Sequence, residues 1–287
     1  MDLGPADGGD RPASDRLRRD RRRAAAPDSL AAPVLQFFAT SPVACPYVPG
    51  RAERKLIVEL DGAGASLAYD DLSRAGFRRS HHFAYRPACR NCAACVPVRI
   101  AVDRFQDSRW TRRVRNANRD LSSALTRPRA TPEQFRLFLN YQQARHGDSE
   151  MASMTYRDYR GMVEDSPART EVAEFRDTAG SLLAVSLIDR LDDGISAVYS
   201  FFDPRQRRRS LGSWSILWLV EECRRQGEPC VYLGYWIAES PKMAYKARFP
   251  GLERLTAAGW ADFGTPPSLS SRSGGRGPRD TGVRDTR

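Results

Sequence analysis

The sequence predicts a mixed α/β (α+β) protein, with a C-terminal half built around a strand–helix–strand unit behind an N-terminal domain that carries most of the thiols. Three observations predict it. Residues 197–237 alternate an aromatic strand pattern, a basic loop, a broad apolar helix face and a second strand pattern. Two further strand patterns joined by a turn lead into that unit, over 171–189. Four of the six cysteines fall between positions 45 and 95.

In chain order, residues 1–28 are Asp, Arg, Ala, Gly and Pro with almost nothing to bury, which predicts a disordered tail. Order is expected from Val34–Phe38. A turn-rich segment, Cys45–Arg51, carries one thiol, Lys55–Leu60 alternates as a strand, and Tyr69–Ala75 reads as a short helix stopped by Gly76. Phe77–Pro87 then leads into Cys89, Cys92 and Cys95. Three thiols at a regular spacing, with Cys45 upstream, suit tetrahedral zinc or an iron–sulfur cluster. The other reading of the same residues is structural or redox-active thiols. Val96–Ile100 is a strand. Arg104–Leu121 reads as a basic helix with Arg109, Arg112, Arg113 and Asn116 on one face and Trp110 among them, an array suited to phosphate contacts and ring stacking.

Thr131-Pro132-Glu133 opens a helix with Pro in its first turn, which ends at Arg145-His146-Gly147. A softer stretch, Met151–Met162, follows. Glu171–Arg176 and Ser181–Asp189 read as antiparallel strands, and Asp192-Asp193-Gly194 turns into the strand Ala197–Phe202. Its end, Asp203-Pro204, gives way to Arg205, Arg207, Arg208 and Arg209. Ser210 stands where an N-cap would, before the apolar run that ends at Gly227. Amides and arginines at that helix start favour an anion. Cys230–Trp236 is the second strand, Pro241 opens a helix carrying Lys242 and Lys246, and 252–263 close the fold. Residues 265–287, rich in Gly, Ser, Pro and Arg, read as a second disordered tail. The domain reading is therefore 1–28 tail, 29–130 Cys-containing basic domain, 131–264 transfer domain and 265–287 tail.

The chain carries a net charge of +11, of which +7 falls on 29–264, so the folded part is itself basic and a polyanionic partner is favoured. No apolar run approaches the roughly 20 residues of a membrane span. The N-terminus has no apolar signal segment, and a cytoplasmic protein is expected.

Arg209-Ser210-Leu211-Gly212 resembles half of the pyrophosphate loop of GNAT acyltransferases. Trp214, where a small residue is expected, would crowd coenzyme A. The segments CPYVPGR, GFRRS, YRPACRNCAACVPVRI, YSFFDP and YKARF, collinear over 34–263, resemble the aminoacyl-tRNA–protein transferases in their bacterial branch. That resemblance implies a GNAT-like core in the C-terminal half. The implied activity takes leucine from Leu-tRNA and passes it to an N-terminal Asp or Glu, marking the acceptor for N-degron degradation. Arg109, Arg112, Arg113, Arg205, Arg207, Arg208, Arg209 and Gly212 would then meet tRNA. In eukaryotic relatives N-terminal cysteines bind an iron–sulfur cluster, so Cys45, Cys89, Cys92 and Cys95 are the candidate ligands here, for a structural or regulatory cluster or zinc.

An aminoacyl ester is already activated, so transfer requires no cofactor; it needs the ester and amine held together and the oxyanion stabilised. Tyr199, Asp203, Tyr245 and Lys246 are the candidate catalytic residues by position, Lys246 serving the donor end. Arg78, Arg79 or Arg86 is expected to read the acidic side chain, and Phe201, Trp214 and Trp236 to line an apolar pocket for leucine. Three alternatives stay open. Arginyl transfer is separated by the choice of donor tRNA, coenzyme A-dependent N-acetyl transfer by binding of acetyl-coenzyme A, and a non-catalytic Cys-cluster nucleic-acid module by absence of any transfer.

Overall fold

A computed structural model describes residues 35–264 except 63 and 148–149, and the tail readings for 1–28 and 265–287 lie outside the described residues. From Leu35 onward the chain clusters as one unit. Its N-terminal part runs β1 (Phe37–Ala39), β2 (Val43–Ala44), β3 (Ala52–Glu53), β4 (Lys55–Glu59), α1 (Ala65–Arg74), β5 (Arg78–Ser80) and β6 (Phe83–Pro87). Four of these strands form an antiparallel sheet in the order β1-β4-β6-β5. The helix expected from Tyr69 starts at Ala65, because Ala65, Ala68, Tyr69 and Leu72 form one apolar face. That face packs on Val58, Leu60, Phe77 and Ala84, and also reaches Leu191, Cys230 and Tyr232.

The chain continues with β7 (Val96–Ala101), α2 (Arg109–Asn116), β8 (Ser122–Thr126), α3 (Pro132–His146), α4 (Tyr156–Glu164), β9 (Arg169–Arg176), β10 (Leu182–Leu191) and β11 (Gly194–Phe202). It ends with α5 (Leu211–Gln226), β12 (Cys230–Trp236), α6 (Pro241–Ala244), β13 (Leu252–Thr256) and β14 (Gly259–Asp262). The larger sheet has the order β14-β13-β7-β12-β11-β10-β9-β8. Three antiparallel strands, a helix and a parallel strand (β9, β10, β11, α5, β12) follow the order expected of the transfer core. The sequence-level division at 130/131 is not a division of this sheet, since β7 and β8 precede it and are two of the strands.

Helices cover both faces of the sheet. Val185, Leu187 and Phe201 bury against Phe138 and Tyr159 of α3 and α4. On the other face Ile188, Ile195 and Val231 meet Leu217, Leu219 and Val220 of α5. The α3 start is a full capping box, with Thr131 accepting from the Gln134 amide, the Gln134 side chain accepting from the Thr131 amide, and Pro132 in the first turn. Such a cap stabilises a helix by about 1 kcal/mol. The basic helix is shorter than its charge pattern suggests. Ser108 caps it and Val114 is its apolar anchor, so only 109–116 are helical. Ser210 does precede α5, but in a left-handed conformation (φ 53°), and its hydroxyl makes no cap.

Candidate functional site

The sheet splits at the parallel junction of β11 and β12. β11 and β12 pair only over Gly194–Ser196 and Cys230–Tyr232. Beyond that point β11 stays with β10 and β12 stays with β7, so the two strands diverge into a fork. Backbone carbonyls on its inner edges lose their ladder partners, and two cations take them. The Arg78 guanidinium reaches in from β5 and donates through Nη2 to Ala197 O (2.6 Å) and Val198 O (2.9 Å) on the β11 arm. The Lys246 ammonium donates to Leu233 O (2.9 Å) and Tyr235 O (2.6 Å) on the β12 arm. Gly234, at φ +73°, lies directly under Arg78, and a Cβ there would meet the guanidinium at 2.7 Å. Both its conformation and the close approach require glycine.

Lys246 is buried, and burial first, then the Arg78 charge, brings its pKa down to about 7. Tyr245, next to it on the turn Tyr245–Arg248, has its hydroxyl pushed up to about 12 by burial, with Tyr141 adding to the rise and Arg78 and Arg145 opposing it. Tyr199 lies on the β11 arm and accepts from Gln142 Nε2 at 2.7 Å. Burial and the nearby Tyr141 raise its pKa further, so both phenols stay protonated at neutral pH. Tyr245 and Lys246 thus lie at the fork with Arg78, and Tyr199 on its β11 arm. Tyr141 and Gln142 read in sequence only as part of an amphipathic helix. The Gln142 amide meets Tyr199 of β11, 57 positions away, with Tyr141 close enough to act on it, and no local signal marks such a meeting.

Other expected site residues serve the fold. Asp203 is buried and accepts a bidentate bond and the backbone amide of Arg205; these contacts hold its carboxyl below the usual range and leave it no role as a base. Arg79 is held in a buried pair with Asp189, at 2.7 and 2.8 Å, and cannot read a substrate carboxylate. Arg86 is exposed, lies 5.5 Å over the Phe77 ring and reaches Ala75 O. Phe201 is sealed among Phe138, Tyr159 and Tyr199, and Trp236 donates to Ala244 O and packs edge-on against Phe263, so neither lines an open pocket. Trp214 is half-buried between two core clusters. Gly212 is explained by packing, since a Cβ there would meet the Phe202 ring at 2.9 Å.

The arginine groups divide in the same way. On α2, Arg109, Arg112 and Arg113 are exposed with Asn116 on one face, and Arg112 donates to Asp107 O. Trp110 is not open for stacking, because Phe249 meets its ring edge-on and the Arg248 guanidinium covers it at 4.3 Å. In the loop before α5, Arg205 is held by Asp203 and Arg209 by Asp120 and Ala117 O. Arg207 and Arg208 project to solvent from the turn Arg207–Arg209.

The four N-terminal thiols are free and half-buried. Cys45 Sγ accepts from Val48 N and Cys89 Sγ from Arg54 N. Burial, then Cys45, Cys89 and Cys92 in turn, push the Cys95 thiol up to about 12. The expected ligands therefore share one neighbourhood, but among the described residues no three Cys, His, Asp or Glu side chains converge to hold an ion. Two open depressions, of about 460 Å³ beside His81 and α4 and about 590 Å³ beside β8 and β9, are lined largely by charged side chains and include none of the fork residues.

Comparison with known proteins bears on the same segments. Residues 43–113 match the family model described as arginine-tRNA-protein transferase, N terminus, and residues 133–256 match the C terminus of the same family. A protein of Paramagnetospirillum magneticum named aspartate/glutamate leucyltransferase is 54% identical over 79% of this chain and 93% of its own length. One of the same name from Rhodospirillum rubrum is 54% identical over the same shares, and one from Gluconacetobacter diazotrophicus is 51% identical over 78% of this chain and 86% of its own. Likeness to solved structures is slight. L-PGS from Bacillus licheniformis aligns at 12% identity and a TM-score of 0.40, covering 50% of this chain and 46% of that one.

Proposed function

This chain belongs to the arginine-tRNA–protein transferase family, an enzyme family acting on aminoacyl-tRNA and protein, and from that premise we propose that it transfers leucine from Leu-tRNA to an N-terminal Asp or Glu. The observation that carries the reading is identity of about half over nearly the whole length of relatives bearing that activity in their names. On this reading the product gains an N-terminal leucine, the residue change that marks a protein for N-degron degradation.

The reaction is aminolysis of an ester. The acceptor α-amine attacks the leucyl carbonyl, a tetrahedral oxyanion forms, and its collapse makes the peptide bond and releases the tRNA hydroxyl, with the amine proton passing to that oxygen. The α-amine has an ordinary pKa near 8, so about a tenth or more is neutral at physiological pH and the requirement for a base is modest. The fork supplies position and hydrogen-bond donors. Tyr245, held protonated by burial, is a donor suited to the oxyanion or the departing oxygen. Exposed Arg109, Arg113, Arg207 and Arg208 suit the phosphates of the donor. Transfer on this account draws on no cofactor.

A transfer assay tests it, with Leu-tRNA and Arg-tRNA as donors and peptides beginning with Asp, Glu, Ala or Lys as acceptors. Leucine should reach the Asp and Glu peptides alone. Arginine moved in its place would assign the chain the other donor.

A further inference from the structure

Among the described residues Arg78 and Lys246 are the cations in the fork, and neither has a carboxylate partner there. Their acceptors are four backbone carbonyls and the Met243 sulfur. Elsewhere four buried or half-buried strand arginines are neutralised, Arg79 by Asp189, Arg99 by Glu253, Arg176 by Glu133 and Glu174, and Arg190 by Glu171, Glu222 and Glu228, whereas half-buried Arg254 on β13 keeps a buried Nε without a partner among the described residues. Lys246 is only 7% exposed, and one guanidinium nitrogen, Arg78 Nη1, is buried with no hydrogen-bond partner among the described residues. Glu53, an acid close to Tyr47 and Cys95 on the thiol side, is already paired with Lys55 at 2.8 Å. Two like charges in a low-dielectric fork repel, and an unused guanidinium donor is left unsatisfied. Both costs are removed by one anion.

Resting on the transfer reading above, we propose that the Arg78–Lys246 fork is the acceptor-specificity site, binding the side-chain carboxylate of the N-terminal Asp or Glu between Arg78 Nη1 and the Lys246 ammonium. A carboxylate suits the place better than a phosphodiester. It is a terminal group that can enter a buried fork, whereas a backbone phosphate carries a nucleoside on each side. The planar guanidinium, fixed by two carbonyls and seated on Gly234, presents its free edge without further ordering. The choice among Arg78, Arg79 and Arg86 that the sequence leaves open is thereby made, and Lys246 moves from the donor end to the acceptor end.

The test uses one peptide sequence with Asp, Asn, Glu or Gln at its first position. For the wild-type protein, Asp and Glu peptides should bind about 10- to 150-fold tighter than their amides, the range of a charge-assisted hydrogen bond. Binding is read by fluorescence anisotropy without tRNA, so it decides the site even if no leucine is transferred. A transfer failure with intact acid preference sinks the functional reading alone. In Arg78→Gln, and in Arg78→Lys as the charge-keeping control, the Asp-to-Asn ratio of kcat/KM should collapse toward 1 in Gln and partly persist in Lys, through KM, while Leu-tRNA affinity and its salt slope hold. Equal wild-type affinity for Asp and Asn peptides would overturn the proposal. So would an Arg78→Gln protein that keeps its acid preference but loses tRNA affinity, which would make the fork a phosphate site. If Arg78→Gln does not fold, the wild-type binding ratio still decides.

Discussion

Arg78 and Arg79 are neighbours on β5 with the same side chain, and the alternation of a strand sends them to opposite faces. Arg79 enters the core and meets Asp189, whose other contacts include the Thr170 hydroxyl at 2.6 Å. Arg78 enters the fork and, among the described residues, donates to carbonyls alone. The first is a closed balance of charge, complete within the fold. The second is open, and an open one in a buried place has to be closed by something that arrives. Pairing, more than burial or sequence position, separates the arginine that holds this protein together from the one suited to a substrate.

The largest test breaks the closed side. Asp189→Ala leaves Arg79 buried without a counter-charge, and loss of one partner from such a pair costs about 3–5 kcal/mol. Urea unfolding should therefore show a large fall in midpoint for Asp189→Ala. Replacing both partners by apolar residues, Arg79→Met with Asp189→Leu, should recover much of it. If the double variant is no better than the single, the pair has a role beyond charge balance.

Asp70 sharpens the comparison, being buried and only half-closed. Its Oδ2 accepts from Arg169 while Oδ1 has no partner among the described residues. Burial first, then Asp192, raise its pKa to about 6. The folded pKa lies above the ordinary carboxyl value, so this group's contribution is fully present below about pH 4 and is lost as pH rises through about 6. Asp70→Asn should thus gain stability relative to wild type on moving from pH 4.5 to pH 8, by about 1–2 kcal/mol. Thermal melts of both proteins at the two pH values measure it. A pH-independent difference between them would count against the raised carboxyl.

How far these assignments were legible in the sequence depends on how far apart the partners lie. Local signals carried well. Thr131 and Pro132 mark the start of α3, Gly227 marks the end of α5, and β12 has the bounds its apolar run suggests. Tyr245 and Lys246 were marked by their place in the YKARF segment and do lie at the fork. What could not be read was contact between distant residues. Arg79 is 110 positions from Asp189, and Arg78 is 119 from Ala197, so nothing local told the two arginines apart. Phe201 and Trp236 failed as pocket residues for the same reason, since an aromatic side chain looks alike in sequence whether it lines a cavity or fills one.

Lys246 provides the open counterpart of the Asp189 test. Lys246→Met removes one of two facing cations, which relieves repulsion, and leaves Leu233 O and Tyr235 O without their donor. These effects oppose, and the net change in stability should stay within about 1 kcal/mol. A loss as large as that of Asp189→Ala, by the same urea measurement, would mean that the ammonium is a structural tie and the fork is less open than its partners indicate.

The smallest stability effects belong to cations that project to solvent and hold no ion pair among the described residues. Arg207 and Arg208 extend from the turn before α5, whereas Arg205 and Arg209 on either side are tied to Asp203 and Asp120. Substituting Arg207 and Arg208 together by Ala should change unfolding free energy by less than about 0.5 kcal/mol. On tRNA binding the ranking reverses, because a guanidinium free of internal carboxylates releases counterions without first breaking a bond. Removing one protein–phosphate ion pair flattens the salt dependence of binding by roughly 0.7–0.9, so the double substitution should lower the slope by roughly 1.4–1.8. The Arg205→Ala, Arg209→Ala pair should do the opposite, destabilising the fold by leaving Asp203 and Asp120 without their partners while moving the slope less. Filter binding of Leu-tRNA across a salt series, beside urea unfolding of the same two variants, measures both quantities. A slope that falls more for the tied pair would mean that tRNA opens those ion pairs on binding, and that pairing within the free fold does not sort this loop.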